Sequence, residues 1–473
     1  MSKTQNLSYE NFLKSKKRIA NFKSINIARN DLNKSLFEYQ KDLITLALKK
    51  GHFAIFAMTG SGKTLMQGEW AYRVWEAENE PVLIVAPLAV AFQSISEIKE
   101  HLGYEVKFCE DDSDVINGIN ITNYEKLEKF DASKFVGIVL DESSRIKSYT
   151  SKARELLVEN FKSTPYKLAC SATPSPNDYT ELGNHTAFLN IMSGYEMLST
   201  YFIHDLGVSS SSSKWRLKGH GKAKFWEFVA NWSAFFTKPS DLDYSLEEDA
   251  KFKLPNLSLE HIEIASTPND TLFSVAAETL NERRRAKRDS LEDRCKKVAE
   301  ICNSSNDNFL VWCELNDESS LLTSLINDAV EIKGSDSDEH KAKAMMDFAN
   351  GKIKVLITKP KIAGFGMNWQ KYCSNVIYAS LSDSFESFFQ SLRRVYRYGQ
   401  KKDVKCYIVT SDAEANVILN LKRKESEFYT MIEGVLKETK NIVLDEIKAI
   451  SVQKTSYEPK IEMTLPKFIK EDM

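Results

Sequence analysis

At 473 residues the chain is too long for one ordinary hydrophobic core, so two or three domains are expected. Its 42% hydrophobic and 27% charged content is that of a folded soluble protein, and no apolar run approaches the ~18 residues of a membrane span. A net charge of -2, with 64 Lys and Arg against 66 Asp and Glu, excludes a chain that coats nucleic acid over its whole surface but leaves room for a local basic cleft.

The first 30 residues, rich in Lys and Asn, carry no apolar h-region and do not read as a secretory signal. Seven scattered cysteines form no CxxC pair, which predicts reduced thiols in a cytoplasmic setting, with neither a zinc site nor a disulfide framework.

"HFAIFAMTGSGKTLMQGEW" is a short apolar strand, a Gly-rich turn and a helix predicted to begin near Lys63. That order is what a phosphate-binding loop requires. In the loop Thr59–Thr64, Gly60 and Gly62 let backbone N–H groups turn toward phosphates, and the helix N-terminus adds its partial positive charge. Lys63 reaches terminal phosphates in such a loop and the Thr64 hydroxyl holds Mg²⁺. The usual pattern opens with glycine where this chain has Ala57. A Gly-rich turn without a ligand is the competing reading, and the strand, GKT and helix in sequence argue against it.

Next come "PVLIVAPLAV", a strand closed by Pro87, and "FVGIVLDESSRIK", expected to bury Val136 to Leu140 and to expose Asp141 and Glu142 at its C-terminal end. Ligand residues of parallel sheets sit at such ends. Asp141 suits a Mg²⁺ partner and Glu142 suits polarisation of an attacking water. Taken alone, the pair could equally cap a following helix. "YKLACSATPSPNDY" repeats the scheme with Ser171 and Thr173, hydroxyls fit for a nucleotide-sensing hinge or for a plain polar turn. These three strand ends belong to one doubly wound α/β core and point to an ATPase.

Farther on, "LGVSSSSSKWRLKGHGKAK" suggests a mobile loop beside Lys214, Arg216, Lys218, Lys222 and Lys224. "NERRRAKRDSLEDRCKK" is a basic helical run that either tracks a phosphate backbone or is a solvated helix face. Then "NFLVWCEL", "KIKVLITKPKIAGFGMNWQ", "CSNVIYAS" and "KCYIVTSD" are four buried strand candidates, interleaved with helical patterns such as "SDEHKAKAMMDFANG". No second GKT occurs, so this lobe is expected to complete the first lobe's site across a cleft. In "QSLRRVYRYGQ", Arg394 and Arg397 are three apart on a predicted helix and would present one face of arginine fingers to the γ-phosphate.

These motifs together resemble a superfamily 2 helicase-type motor, and within that class the SNF2 family of DNA translocases. "LFEYQ" resembles the adenine-sensing segment with Gln40 as its reader, "AMTGSGKT" motif I (where alanine in first position is common), "LIVAPLAV" motif Ia and "ITNYEKL" the segment before motif II. "DESS" takes the place of the acidic box and "SATP" that of motif III. "IAGFGMNWQ", with Gly366, resembles motif V, and "QSLRRVYRYGQ" matches Q-x-x-x-R-x-x-R-x-G-Q of motif VI through Gln390, Arg394, Arg397 and Gln400. The last pattern is the one specific to SNF2-like proteins. The resemblance runs from about residue 33 to about 412. One departure is Ser143-Ser144, where many relatives carry a small residue and His; it puts the coupling of hydrolysis to the DNA grip in question.

The resemblance implies two tandem RecA-like lobes, each a mostly parallel sheet flanked by helices, with helical insertions between motifs III and IV. The expected organisation is an N-terminal extension (1–30), an ATP-binding lobe (31–240) with a mobile insertion near 207–224, a linker and helical insertion (241–305), a second lobe (306–430) and a C-terminal extension (431–473) that packs back on the second lobe or meets a partner. ATP and Mg²⁺ are the implied cofactors. Duplex DNA held by sequence-independent backbone contacts, with Lys359, Lys361, Lys401 and Lys402 in support, is the implied partner, and a replication or recombination protein a further one. A monomeric motor in a bacterial or phage-infected cytoplasm is expected. The alternatives are a strand-separating DNA or RNA helicase, a nucleotide-gated protein that resets a protein partner and, weakest, a small-molecule kinase.

Overall fold

The computed structural model describes residues 22–146, 152–175, 178–204, 215–264, 285, 287–364, 367–382, 384–411 and 415–451. Among the described residues, no helix is long and apolar enough to cross a membrane.

The first lobe is built on a seven-stranded sheet of β1 (His52–Ala57), β2 (Val82–Ala86), β3 (Val106–Phe108), β4 (Ile119–Asn123), β5 (Gly137–Asp141), β6 (Tyr166–Ser171) and β9 (Ser233–Phe236), in the order β3-β4-β2-β5-β6-β1-β9 with every pairing parallel. Its central strands read as unbroken apolar runs because both faces are covered. One face carries helices α1 (Glu38–Lys50), α2 (Lys63–Glu78) and α3 (Leu88–Leu102); Met66, Trp70 and Val74 of α2 pack against Ile84 and Val139. The other face carries α4 (Leu182–Phe188) and α5 (Lys222–Ala230), where Phe188 and Trp226 meet Phe56 and Leu140. A small antiparallel pair joins β7 (Phe202–His204) to β8 (Trp215–Leu217). Of the insertion near 207–224, residues 205–214 lie outside the described residues; Trp215 onward is β8, a short turn and α5.

The second lobe carries a six-stranded parallel sheet, β10 (Leu257–Ile264), β15 (Val404–Ser411), β14 (Asn375–Tyr378), β11 (Phe309–Trp312), β13 (Val355–Thr358) and β12 (Ala329–Glu331), in that spatial order. The four expected strands are β11, β13, β14 and β15. Beyond them, β10 lies in the range read as linker and pairs along its whole length with β15. Its exposed outer residues give it no buried apolar run to recognise. Helices α6 (Leu291–Asn303), α7 (Asp338–Ala349) and α8 (Phe385–Leu392) flank this sheet.

The basic run is only partly a solvated face. Residues 281–284 and 286 lie outside the described residues, but Arg294 points inward and pairs with Glu318 at 2.7 Å, both side chains fully buried. Glu318 Oε2 also accepts from the N–H groups of Glu314 and Leu315 and from the Ser380 hydroxyl, while Oε1 faces the Arg294 guanidinium.

The C-terminal segment forms one long helix, α9 (Ala415–Ser451), that packs on both lobes rather than on the second alone. Val417, Leu421, Phe428 and Ile432 join the second lobe's core, Val435 joins the first lobe's core, and Val443 and Leu444 insert beside α1. All seven cysteines are buried and free.

Candidate active site

The parallel register sets the site. Phe56 of β1 is level with Ser171 of β6, and Asp141 of β5 is level with Cys170, so the three loops leaving these strands emerge at one edge. The loops after β1 and β5 open onto a cavity of about 430 Å³ between the lobes, lined among others by Gln40, Thr59, Gly60, Gly62, Lys63, Thr64, Asp141 and Glu142 from the first lobe and by Arg394, Arg397 and Tyr398 from the second.

The Gly-rich turn needs its glycines for conformation and for close approach. Gly60 and Gly62 have φ of +90° and +76°. A Cβ on Gly62 would lie 2.2 Å from Gln40 Nε2, and one on Gly60 would lie 3.0 Å from Tyr398 Cβ across the cleft. Lys63 opens α2, and its ammonium folds back to donate to the carbonyls of Ala57 (2.8 Å) and Met58 (3.2 Å). Burial pushes its pKa down, against the opposing pull of Glu142 and Asp141.

Asp141 and Glu142 are at the C-terminal end of β5 as expected, but they are buried rather than exposed. Gln67 Nε2 donates to Asp141 Oδ1 at 2.8 Å, the Glu142 N–H donates to the same oxygen at 3.0 Å, and the Tyr124 hydroxyl donates to the Asp141 carbonyl at 2.7 Å. Desolvation raises the pKa of both carboxyls; the Gln67 hydrogen bond and Lys63 oppose it at Asp141, and Lys63 opposes it at Glu142. Glu142 sits at φ +52°, a left-handed conformation rare outside glycine.

Arg394 and Arg397 do reach the cavity, though not as one helix face. Helix α8 ends at Leu392, and the turns that follow deliver both guanidiniums. Arg394 is 3% exposed and donates through Nε to the Gln390 carbonyl (3.0 Å) and through Nη2 to Gln390 Oε1 (3.3 Å). Burial, with Arg397 nearby, pushes its pKa down to about 9. Arg397 is likewise pushed down by burial. Gln400 lies outside the cavity wall: its amide donates to Cys373 O and accepts from the Lys401 and Lys402 N–H groups, bracing the turn.

Of the other expected residues, Gln390 and Ser61 land beside the cavity, while Gln40 lines it. Gln390 stands behind Arg394 and reaches Thr173 of the first lobe. Ser61 faces a neighbouring cavity of about 280 Å³ that is walled partly by α9. The Gln40 carboxamide accepts from Phe37 N (2.9 Å) and donates to Ser61 O (3.0 Å), tying α1 to the loop. Gly366 lies outside the described residues. Sequence reasoning missed Glu97 of α3, which lines the cavity and receives a hydrogen bond from Asn368 across the cleft, and it missed Phe252, which packs on Tyr398 with ring centroids 5.1 Å apart. No motif marks them; only the cleft's closure brings them in.

Seven buried polar atoms around this loop and cleft have no protein partner: Thr59 Oγ1, Ser61 Oγ, Gln93 Oε1, Glu142 Oε2, Asn368 Oδ1, Gln370 Oε1 and Arg397 Nε. Buried polar groups are nearly always hydrogen-bonded, so their grouping here marks where a polar ligand fits. Donors for phosphate oxygens and the hard oxygens of Thr64 and Asp141 are a chemical fit for a nucleotide with a divalent cation. Among the described residues no cluster of three or more His, Cys, Asp or Glu side chains forms a metal site by itself.

Residues 33–176 match the family described as type III restriction enzyme, res subunit (ResIII), and residues 292–399 match the helicase conserved C-terminal domain. No curated protein matches the chain. Among solved structures the chain is similar to a Sulfolobus solfataricus SWI2/SNF2 ATPase core in complex with dsDNA, at 17% identity, covering 93% of this chain and 100% of that one with a TM-score of 0.40. The two family matches in series, one on each parallel-sheet lobe, define the class of ATP-driven nucleic-acid motors. Within it, the chain is a superfamily 2 helicase-like ATPase.

Proposed function

We propose that the chain hydrolyses ATP to translocate along duplex DNA in the manner of SNF2-like motors. The observation that carries the catalytic part is the shared cavity: Lys63 and Glu142 from one lobe face Arg394 and Arg397 from the other. Thr59, Gly60, Gly62 and Lys63 cradle the phosphates, with Gln40 holding the loop's shape from α1. Mg²⁺, held by Thr64 and Asp141, would supply charge neutralisation at the β- and γ-phosphates. Glu142, with one carboxylate oxygen unpartnered and a pKa raised by desolvation, accepts the proton of the attacking water. Arg394 and Arg397 stabilise the charge that develops on the transferred phosphoryl group.

The DNA part rests on the motif VI pattern Q-x-x-x-R-x-x-R-x-G-Q and on the basic residues Lys359, Lys361, Lys401 and Lys402 near motifs V and VI. Backbone contacts of this kind predict binding that weakens steeply with salt and ignores base sequence.

The test is steady-state ATP hydrolysis at low salt with no polymer, single-stranded DNA, blunt duplex DNA and RNA, with Glu142→Gln beside the wild type. Duplex DNA is expected to stimulate most, and the variant to be nearly inactive. Stimulation by single strands or RNA alone would replace this reading with a strand-separating helicase. Hydrolysis indifferent to every polymer would replace it with a nucleotide-gated protein.

A further inference from the structure

Directly after the acidic pair, Ser143 is buried, and its hydroxyl lies 3.0 Å from His185 Nε2. His185 belongs to α4, which begins eleven residues beyond Ser171 and covers the face of the sheet behind the cavity. It is fully buried among Phe56, Leu182 and Phe188, with its ring edge-on to Phe56 at 5.1 Å. An aliphatic side chain would fill that place without desolvating an imidazole. Burial keeps the ring neutral, with a pKa near 4, so it acts by hydrogen bonding and not by charge.

Its partner stands at a critical backbone position. Glu142 is held at φ +52°, which a residue with a Cβ keeps only if its surroundings impose it. The impositions are visible on both sides: Tyr124 fixes the carbonyl of Asp141, and His185 fixes the side chain of Ser143. The chain leading to His185 also passes through Thr173, which touches Gln390 of the second lobe.

We propose that His185 is a positioning residue for the hydrolytic carboxylate, acting through Ser143 to hold Glu142 in its left-handed conformation. The proposal rests on the role given above to Glu142.

The experiment measures kcat and KM for ATP, and Kd for a fluorescent ATP analogue, in Ser143→Ala, His185→Leu, the double variant and His185→Gln, with Glu142→Gln alongside. A displaced base costs turnover while the phosphate loop is intact. Ser143→Ala and His185→Leu are each expected to lower kcat by about tenfold to a hundredfold, with KM and Kd unchanged within about twofold. The double variant should be no worse than the poorer single one, since both break the same link. His185→Gln, which keeps a hydrogen-bonding group of similar reach, should recover most of the rate. Full turnover in Ser143→Ala, additive losses in the double variant, or a Kd that weakens in step with kcat would each overturn the proposal. If His185→Leu does not fold, Ser143→Ala and His185→Gln decide the matter, because one removes a single hydroxyl and the other retains polarity. Should Glu142→Gln itself turn over normally, the reading of Glu142 fails; should it be dead while Ser143→Ala is fully active, only the positioning role fails.

Discussion

Gln390 and Thr173 meet across the cleft: Gln390 Nε2 lies 3.4 Å from Thr173 Oγ1, and both side chains are fully buried although 217 residues separate them. Through this contact the hydroxyl after β6 is linked to the arginine-bearing turn, because the same glutamine accepts two hydrogen bonds from Arg394. The bond is long and neutral, worth about 1 kcal/mol. Thr173→Val, which keeps the shape and removes the hydroxyl, is therefore expected to slow ATP turnover by about fivefold while leaving the melting temperature nearly unchanged. Steady-state kinetics beside a thermal melt check it; unchanged turnover would reduce the contact to packing.

The two arginines are predicted to separate in their effects. Arg397 Nε has no protein partner, whereas Arg394 is engaged with Gln390. Arg397→Ala removes a desolvated charge and should cut turnover by about a thousandfold with stability unchanged or improved. Arg394→Ala should lose turnover and lower the melting temperature too, since it strands Gln390. Lysine should rescue neither, because it lacks the planar fork of donors.

What the sequence made legible was local. The order strand, Gly-rich turn, GKT and helix, and the acidic pair at a strand end, are consequences of short-range backbone geometry, and β1, α2, β5 and β6 stand where those patterns put them. What escaped was non-local. The spacing of Arg394 and Arg397 suggested a helix face, but α8 stops before them, and it is the turns after it that leave Arg394 buried and Arg397 half-buried at the cleft. β10 hid because an edge strand with exposed residues has no apolar run. His185 and Glu97 carry no motif, and only the packing of α4 and α3 beside the loops reveals them.

Lys167 of β6 gives the first lobe a pH dependence with a definite sign. The side chain is fully buried, donates to the Phe188 carbonyl at 2.9 Å, and desolvation pushes its pKa down to about 7 from 10.5. Between these values the unfolded chain holds the proton and the folded chain releases it, so stability rises with pH across that window and falls as pH drops toward 7. Below about 7 both states are protonated and the full penalty is in place. Lys167→Met removes the linkage. Melting curves at pH 7 and pH 9 should show the wild type gaining roughly 2 kcal/mol at most relative to the variant; a gap that does not change with pH would mean the ammonium is solvated.

Helix α9 makes the last prediction a contrast between two of its own residues. Leu444 is 5% exposed in the first lobe's core, so Leu444→Ala should cost about 2–4 kcal/mol through lost burial and the cavity left behind. Glu446, one half-turn on, pairs with Lys50 at 2.9 Å, but its side chain is 32% exposed and that of Lys50 26%. Water competes for such a pair, and Glu446→Ala should cost less than about 1 kcal/mol. Because the same helix is rooted in the second lobe through Phe428 and Ile432, releasing its far half should also loosen the lobes from each other. Thermal melts of the two variants, with small-angle scattering of each, separate the effects: Leu444→Ala should lower the melting temperature and enlarge the particle, and Glu446→Ala should do neither. Equal behaviour of the two would mean that the helix's hold on the first lobe is electrostatic rather than packed.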